Sequence, residues 1–254
     1  MSKHLANANL VSSYDVSYFR KFSETRLRAI SLCAEMGLPL YKIHHSIVIG
    51  DAAMLIANEV ERQMGVRVDY EIVEAGALLH DVGISQIISD DMPEHAYIGG
   101  RIAQDAGFGE KVSRCIELHD CAGFVKEYVL ALDLPRTVAK DDLLPETWEE
   151  KIVAYADMII SLEGEWQMDV WNDDTCPARA YFDYISTPLR IRRGLTMSKS
   201  HPQFEYDIEF NRSMRRFVPR AKYETLLRPR IDRMVKSIRA SGMQVPFPSL
   251  AQWP

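Results

Sequence analysis

An apolar, small-residue run that ends in His80-Asp81-Val82-Gly83 constrains this chain more than any other feature. From Glu74 to Leu79 the residues are small or aliphatic, and Val73, Ala77 and Leu78 recur near the helical period, which predicts a helix buried on most sides. Two adjacent polar residues at its end would be costly to bury unless something pairs with them. A cation does so well, because a neutral imidazole and an ionised carboxylate are both good ligands for divalent metals. Gly83 then lets the chain leave the helix in a conformation that side chains disfavour. A fold built on this run must bring further ligands to its end.

The 254 residues suffice for one domain with a substantial appendage, and 47% hydrophobic against 26% charged residues fits a packed core. The first residues lack the apolar stretch of a signal peptide, and no apolar run approaches bilayer length. Cys33, Cys115, Cys121 and Cys176 form no CxxC pair, which predicts reduced thiols and a cytoplasmic setting with no membrane partner. The net charge of −6 conceals an asymmetry: residues 190–239 hold about fourteen Lys or Arg against about five acids. These arginines alternate with apolar positions as on an amphipathic helix. They are therefore expected to lie on the acidic body, or on the partner subunit of a homodimer, rather than on nucleic acid.

In chain order, helices are expected over about 17–36, 41–64, 69–79, 95–106, 110–121, 147–162 and 221–240, with Gly, Pro and Asp at the breaks. Strand signals are scarce, so the fold class is all-α. The expected organisation is a lead-in over 1–37, a metal-binding bundle over 38–163 and a helical or irregular extension over 164–254. Polar residues on otherwise apolar helical faces are His45, His80, Asp81, His95, His119 and Asp157, each from a different segment except the adjacent pair. A bundle can gather such residues at its centre. His44, about 100° round the helix from His45, reads as a surface residue, and Cys115 and Cys121 as core.

The order H…HD…H…H…D resembles the HD-domain superfamily of metal-dependent phosphohydrolases, in the version with extra histidines that holds two metals. The likeness is local as well: His45-Ser46 followed by Ile49, Ala77-Leu78-Leu79-His80-Asp81-Val82-Gly83, His95 leading Ile98-Gly99, and Lys151-Ile152-Val153-Ala154-Tyr155-Ala156-Asp157. Pro145-Glu146-Thr147-Trp148-Glu149-Glu150-Lys151 is similar to an uncharacterised, mostly archaeal branch of small HD proteins. The resemblance implies that His45, His80, Asp81 and Asp157 hold one metal, and that His95 and His119 hold a second bridged by the catalytic Asp81. All-N/O ligation implies Fe or Mn, with Mg or Co as alternatives.

Many dinuclear members carry a lysine directly after HD-x-G, where this chain has Ile84, so a cation for phosphate is sought at Arg101, Arg114 or Lys126. The activity implied is hydrolysis of a small phosphorylated or otherwise anionic metabolite or nucleotide by a metal-activated water. Two alternatives stand beside it. One is a mixed-valent di-iron oxygenase that cleaves a C–C or C–P bond. The other is a non-catalytic sensor of a ligand or nucleic acid. Residues 164–254, aromatic first and arginine-rich later, are expected to fold back on the bundle or across a partner subunit.

Overall fold

The small-residue run becomes the central helix of the molecule. The computed structural model describes residues 23–87, 94–127, 129, 143–160, 202–218, 221, 225 and 227–240. Among them eight α-helices follow in order: α1 Glu24–Glu35, α2 Leu40–Met64, α3 Tyr70–Leu79, α4 Glu94–Asp105, α5 Glu110–Glu117, α6 Trp148–Met158, α7 Pro202–Met214 and α8 Arg228–Ala240. Short 3-10 turns cover Val82–Gln86, Asp120–Ala122 and Arg215–Phe217. The described residues contain no strand, and a single antiparallel bridge joins Phe124 to Leu143. The fold is all-α, as the sequence predicts. The aromatic segment with Trp166, Trp171, Tyr181, Phe182 and Tyr184 lies outside the described residues, as do the first 22 residues.

Helix α3 is buried along its length from Val73 to Leu79, and the core divides around it. Val73 and Ala77 join a cluster with α2, α6 and the C-terminal helices, whereas Ala75, Leu78 and Leu79 join a second with α1, α4 and α5. Small side chains are needed here because neighbours come close: a Cβ on Gly76 would lie 2.8 Å from Cys115 Cβ and 3.2 Å from Val153 Cγ2. Asp69 starts α3 by accepting from the backbone N–H of Glu71 and Ile72, and Thr147 with Glu150 makes a reciprocal capping box at the start of α6.

A buried ionic knot sets the register of the first three helices. Arg26 of α1 reaches Asp51 of α2 at 2.7 Å and Glu74 of α3 at 3.1 Å, and the Ser23 hydroxyl donates to the other oxygen of Glu74. All three charged side chains are buried, so each would be expensive without the others.

The C-terminal helices pack on the bundle. Ile208, Phe210, Met214, Phe217, Leu227 and Ile231 belong to the same buried cluster as Ile49, Ile56 and Ile152. Of the arginines there, Arg216 lies over the Phe217 ring at 4.6 Å and Arg228 pairs with Asp232 of its own helix at 3.1 Å. No helix among the described residues is long and apolar enough to cross a membrane.

Asp207 of α7 is fully buried. One carboxylate oxygen accepts from Gln203 at 3.0 Å, while the other, Oδ2, meets no hydrogen-bond partner among the described residues. Burial first, then the charge of Asp120, pushes its carboxyl well above the usual range, against the Gln203 bond. A raised acid favours folding only in its neutral form, so the contribution is present below the ordinary value of 3.8 and lost as pH rises through the folded value. Asp207→Asn should therefore raise the melting temperature at pH 8 and lose that advantage towards pH 4. Equal shifts at both pH values in thermal melts would contradict this.

Candidate metal centre

Four imidazoles and two carboxylates meet where α3 ends. Their rings form a row: His45 to His80 with centroids 5.3 Å apart, His80 to His119 at 5.0 Å, and His119 to His95 at 5.0 Å. Ligating atoms fall into three sets, each within 4.8 Å of one another: His45, His80 and Asp81; His80, His119 and Asp157; Asp81, His95 and His119. The structure thus brings together all six residues that the sequence singles out.

Two of the histidines share one construction. His80 follows the last residue of α3 and its Nδ1 donates to the carbonyl of Ala77 at 2.8 Å; His119 follows the end of α5 and its Nδ1 donates to Ile116 at 2.6 Å. A carbonyl can only accept, so Nδ1 carries a proton, and in the neutral ring Nε2 is left as a lone pair facing the cluster. Each ring also caps a helix end whose dipole is negative, which favours a cation beyond it. The helix expected to run to about Cys121 stops at Glu117, which puts His119 at this cap instead of inside a helix.

The two oxygens of Asp81 face different histidines. Oδ2 lies 3.3 Å from His80 Nε2, and Oδ1 lies 3.6 Å from His95 Nε2. Asp157 Oδ1 lies 3.1 Å from His45 Nε2 and 3.3 Å from His80 Nε2, while the Nε2 atoms of His95 and His119 face each other at 3.1 Å. His80 Nε2 is buried, near both carboxylates and hydrogen-bonded to neither. Such a nitrogen suits a metal bond better than a hydrogen bond.

The electrostatics point the same way. Burial acts to lower the His80 pKa, but Asp81 and Asp157 outweigh it and carry it up to about 10. Burial acts to raise Asp81, yet Lys42 and then His80 hold its carboxyl well below the usual range. His119, buried beside His80 and His95, falls to about 3. The two carboxylates therefore demand positive charge, which a protonated His80 supplies only by giving up its Nε2 lone pair as a donor. A divalent ion satisfies both carboxylates.

Five of the six residues are closed to solvent. The Asp157 side chain keeps 25% exposure, which makes its edge the way in.

The cation beside this cluster is none of the three expected from the sequence. Lys42 is buried on α2, and its Nζ lies 2.7 Å from Asp81 Oδ2. It precedes His45 by three residues and so shares its face, which is the signal that could have found it. Arg101 and Lys126 occupy exposed positions, and Arg114 pairs with Glu117 at 3.5 Å. His44 departs from its expected surface position: it is half-buried, and burial lowers its pKa. It belongs to none of the three ligand sets.

Gly83 fits the corner after Asp81 against α4. A Cβ there would lie 2.0 Å from the carbonyl oxygen of His95 and 2.6 Å from Gly99 N. Backbone cannot yield as a side chain can, so Gly83→Ala should displace the helix that carries His95. We expect a loss of about 3 kcal/mol or more in urea denaturation, together with weaker metal binding. Wild-type stability in this variant would mean that α4 moves away freely.

Comparison with known proteins agrees with this geometry. A model of the HD domain family matches residues 43–160. An uncharacterised protein of Methanocaldococcus jannaschii is 38% identical over 118 residues, which is 46% of this chain and 65% of that protein. Two proteins named tRNA (cytidine(56)-2'-O)-methyltransferase are also similar. That of Thermoplasma volcanium is 33% identical over 132 residues, covering 52% of this chain and 35% of its own length. That of Picrophilus torridus is 39% identical over 95 residues, covering 37% and 26%. The chain spans less than two thirds of each of these relatives. No solved structure matches. Residues 43–160 are thus similar in sequence to the HD-domain family, and all six clustered residues lie within that match.

Proposed function

We propose that the chain is a metal-dependent phosphohydrolase acting on a small phosphorylated metabolite or nucleotide. The observation that carries this reading is the buried set of four imidazoles and two carboxylates, open to solvent at Asp157 and flanked by Lys42. His45, His80, Asp81 and Asp157 would hold one divalent ion and His95 with His119 a second. Asp81 would be shared, since its two oxygens face the two groups. Bound ions of this kind supply an activated water and neutralise phosphoryl oxygens. All-N/O ligation favours Fe or Mn, with Mg or Co as alternatives.

The protein's own part is orientation and charge. The carbonyls of Ala77 and Ile116 lock two rings with Nε2 inward, the core excludes water from all edges but one, and Lys42 adds a positive charge beside Asp81. Its ammonium also offers a phosphate oxygen a partner at the same edge of Asp81.

The test is phosphate release by the full chain, stripped and reloaded with Mn or Fe, across phosphomonoesters, phosphodiesters and nucleotides. The two relatives named as tRNA methyltransferases favour adding tRNA to that panel. Turnover should depend on metal, and Lys42→Met should raise KM while metal content stays at the wild-type level. No release from any substrate by metal-replete protein would end the hydrolase reading. The same donor set suits iron, which supports the second reading, an oxygen-dependent cleavage of a C–C or C–P bond. A mixed-valent signal in electron paramagnetic resonance of protein purified without added metal would favour it.

A further inference from the structure

We infer that α7, which lies outside the family match, is a positioning element of the metal centre. Its buried polar stripe of Gln203, Asp207 and Asn211 fixes the backbone leading from His119 on one flank and the helix carrying Asp157 on the other. The inference rests on the metal-site reading above.

The three residues are spaced i, i+4 and i+8, so they share one helical face, and each is fully buried. A helix docked by apolar contacts alone tolerates small slides. Buried polar groups do not, because each one that loses its partner costs about 1–3 kcal/mol. The bonds of this stripe therefore specify where α7 sits, and through it what α7 touches.

On the first flank, Gln203 brackets a backbone segment. Its Nε2 donates to the Gly123 carbonyl at 2.8 Å and its Oε1 accepts from Val125 N–H at 2.9 Å. The intervening Phe124 pairs with Leu143 through both its N–H, at 2.9 Å, and its carbonyl, at 2.8 Å. The segment is held on both edges, like a middle strand. Between it and His119 lie only Asp120, Cys121 and Ala122, in one 3-10 turn. Ala122 has a φ of +61° and Gly123 of +90°. A non-glycine residue in that region is strained by about 1–2 kcal/mol, and such strain persists only where the surroundings impose it. Gln203 and Leu143 together hold the segment that follows Ala122.

On the second flank, the Tyr155 hydroxyl donates to Asn211 Oδ1 at 2.9 Å. Tyr155 is fully buried and precedes Asp157 by two residues in α6, and its ring meets Phe210 edge-on at 6.0 Å. Asp157 is the ligand with solvent at its side, and the Tyr155–Asn211 bond ties the helix that carries it to α7. Asp207 joins the two ends of the stripe by accepting from Gln203.

The test is calorimetric titration of metal-stripped full-length protein with Mn, comparing wild type, Gln203→Ala, Asn211→Ala and Ile208→Ala. Ile208→Ala removes apolar packing from the same helix and serves as the destabilised control. Gln203→Ala should weaken one ion about 10- to 100-fold, as loss of a supporting contact does. That effect should vanish in a His119→Ala background and persist in a His45→Ala background. Asn211→Ala should weaken binding in the way that Tyr155→Phe does. Ile208→Ala should lower the melting temperature without changing affinity. Wild-type affinity in Gln203→Ala overturns the inference alone. So does an equal loss in Ile208→Ala, or in both backgrounds, because the role would then be general stability. If wild-type protein takes up no divalent ion, the metal-site reading falls and the inference with it.

Discussion

Cutting the chain after Leu162 should leave a protein that neither stays soluble nor unfolds cooperatively. The cut removes Ile208, Phe210, Met214, Phe217, Leu227 and Ile231, all members of the cluster that also contains Ile56 and Ile152. Each is worth about 1.5–3 kcal/mol as a buried side chain. Their sum is of the order of a domain's whole net stability, about 5–15 kcal/mol. The face they leave on α2 and α6 would be a broad apolar patch, which drives association. Tyr155 would also lose its hydrogen-bond partner Asn211 in the interior. Light scattering and thermal melts of the truncated chain check this. A monomeric core with the melting temperature of the full protein would show that residues 163–254 are an independent module.

Asp81→Ala should cost both metals and a large part of the stability. Asp81 is shared between two of the three ligand sets, and removing a shared anion leaves two cations to repel each other. The same substitution strands Lys42, whose buried ammonium is held above its ordinary pKa against burial, chiefly by Asp81. Breaking a buried pair by deleting one partner costs about 3–5 kcal/mol. His119→Ala takes away one terminal imidazole and should mainly empty the set with His95. Elemental analysis gives the metal-to-protein ratio of each variant, and urea denaturation of stripped protein gives the stability. Full occupancy in Asp81→Ala would refute the assignment of the shared ligand. Unchanged stability of the stripped variant would refute the role of the Lys42 pair.

Of the six clustered residues, His45, His95 and Asp157 were legible because each interrupts an apolar helical face, and His80, Asp81 and His119 because each closely follows one. A His or Asp in such a place is costly unless it has a task, and helical spacing alone shows which way it points. The central helix was legible for the same reason: a run of Ala, Gly and Leu has no polar side to give to solvent. Helix starts with strong local chemistry, such as Asp69 before α3 and Thr147 before α6, fell where the capping residues put them. The His119 cap did not, because the end of α5 is set by the ring itself taking the Ile116 carbonyl.

What the tertiary structure alone decided is which ordinary polar residues lie inside. Lys42 carries a side chain that normally reaches water, and only the approach of α3 places Asp81 against it. Gln203, Asp207 and Asn211 have the spacing of a solvent face on an amphipathic helix. They are buried because residues far away in sequence, Gly123, Val125 and Tyr155, present groups that match them. Periodicity reports which residues share a face. Whether that face meets water or another segment depends on contacts between distant parts of the chain, and these exist only once the bundle has formed.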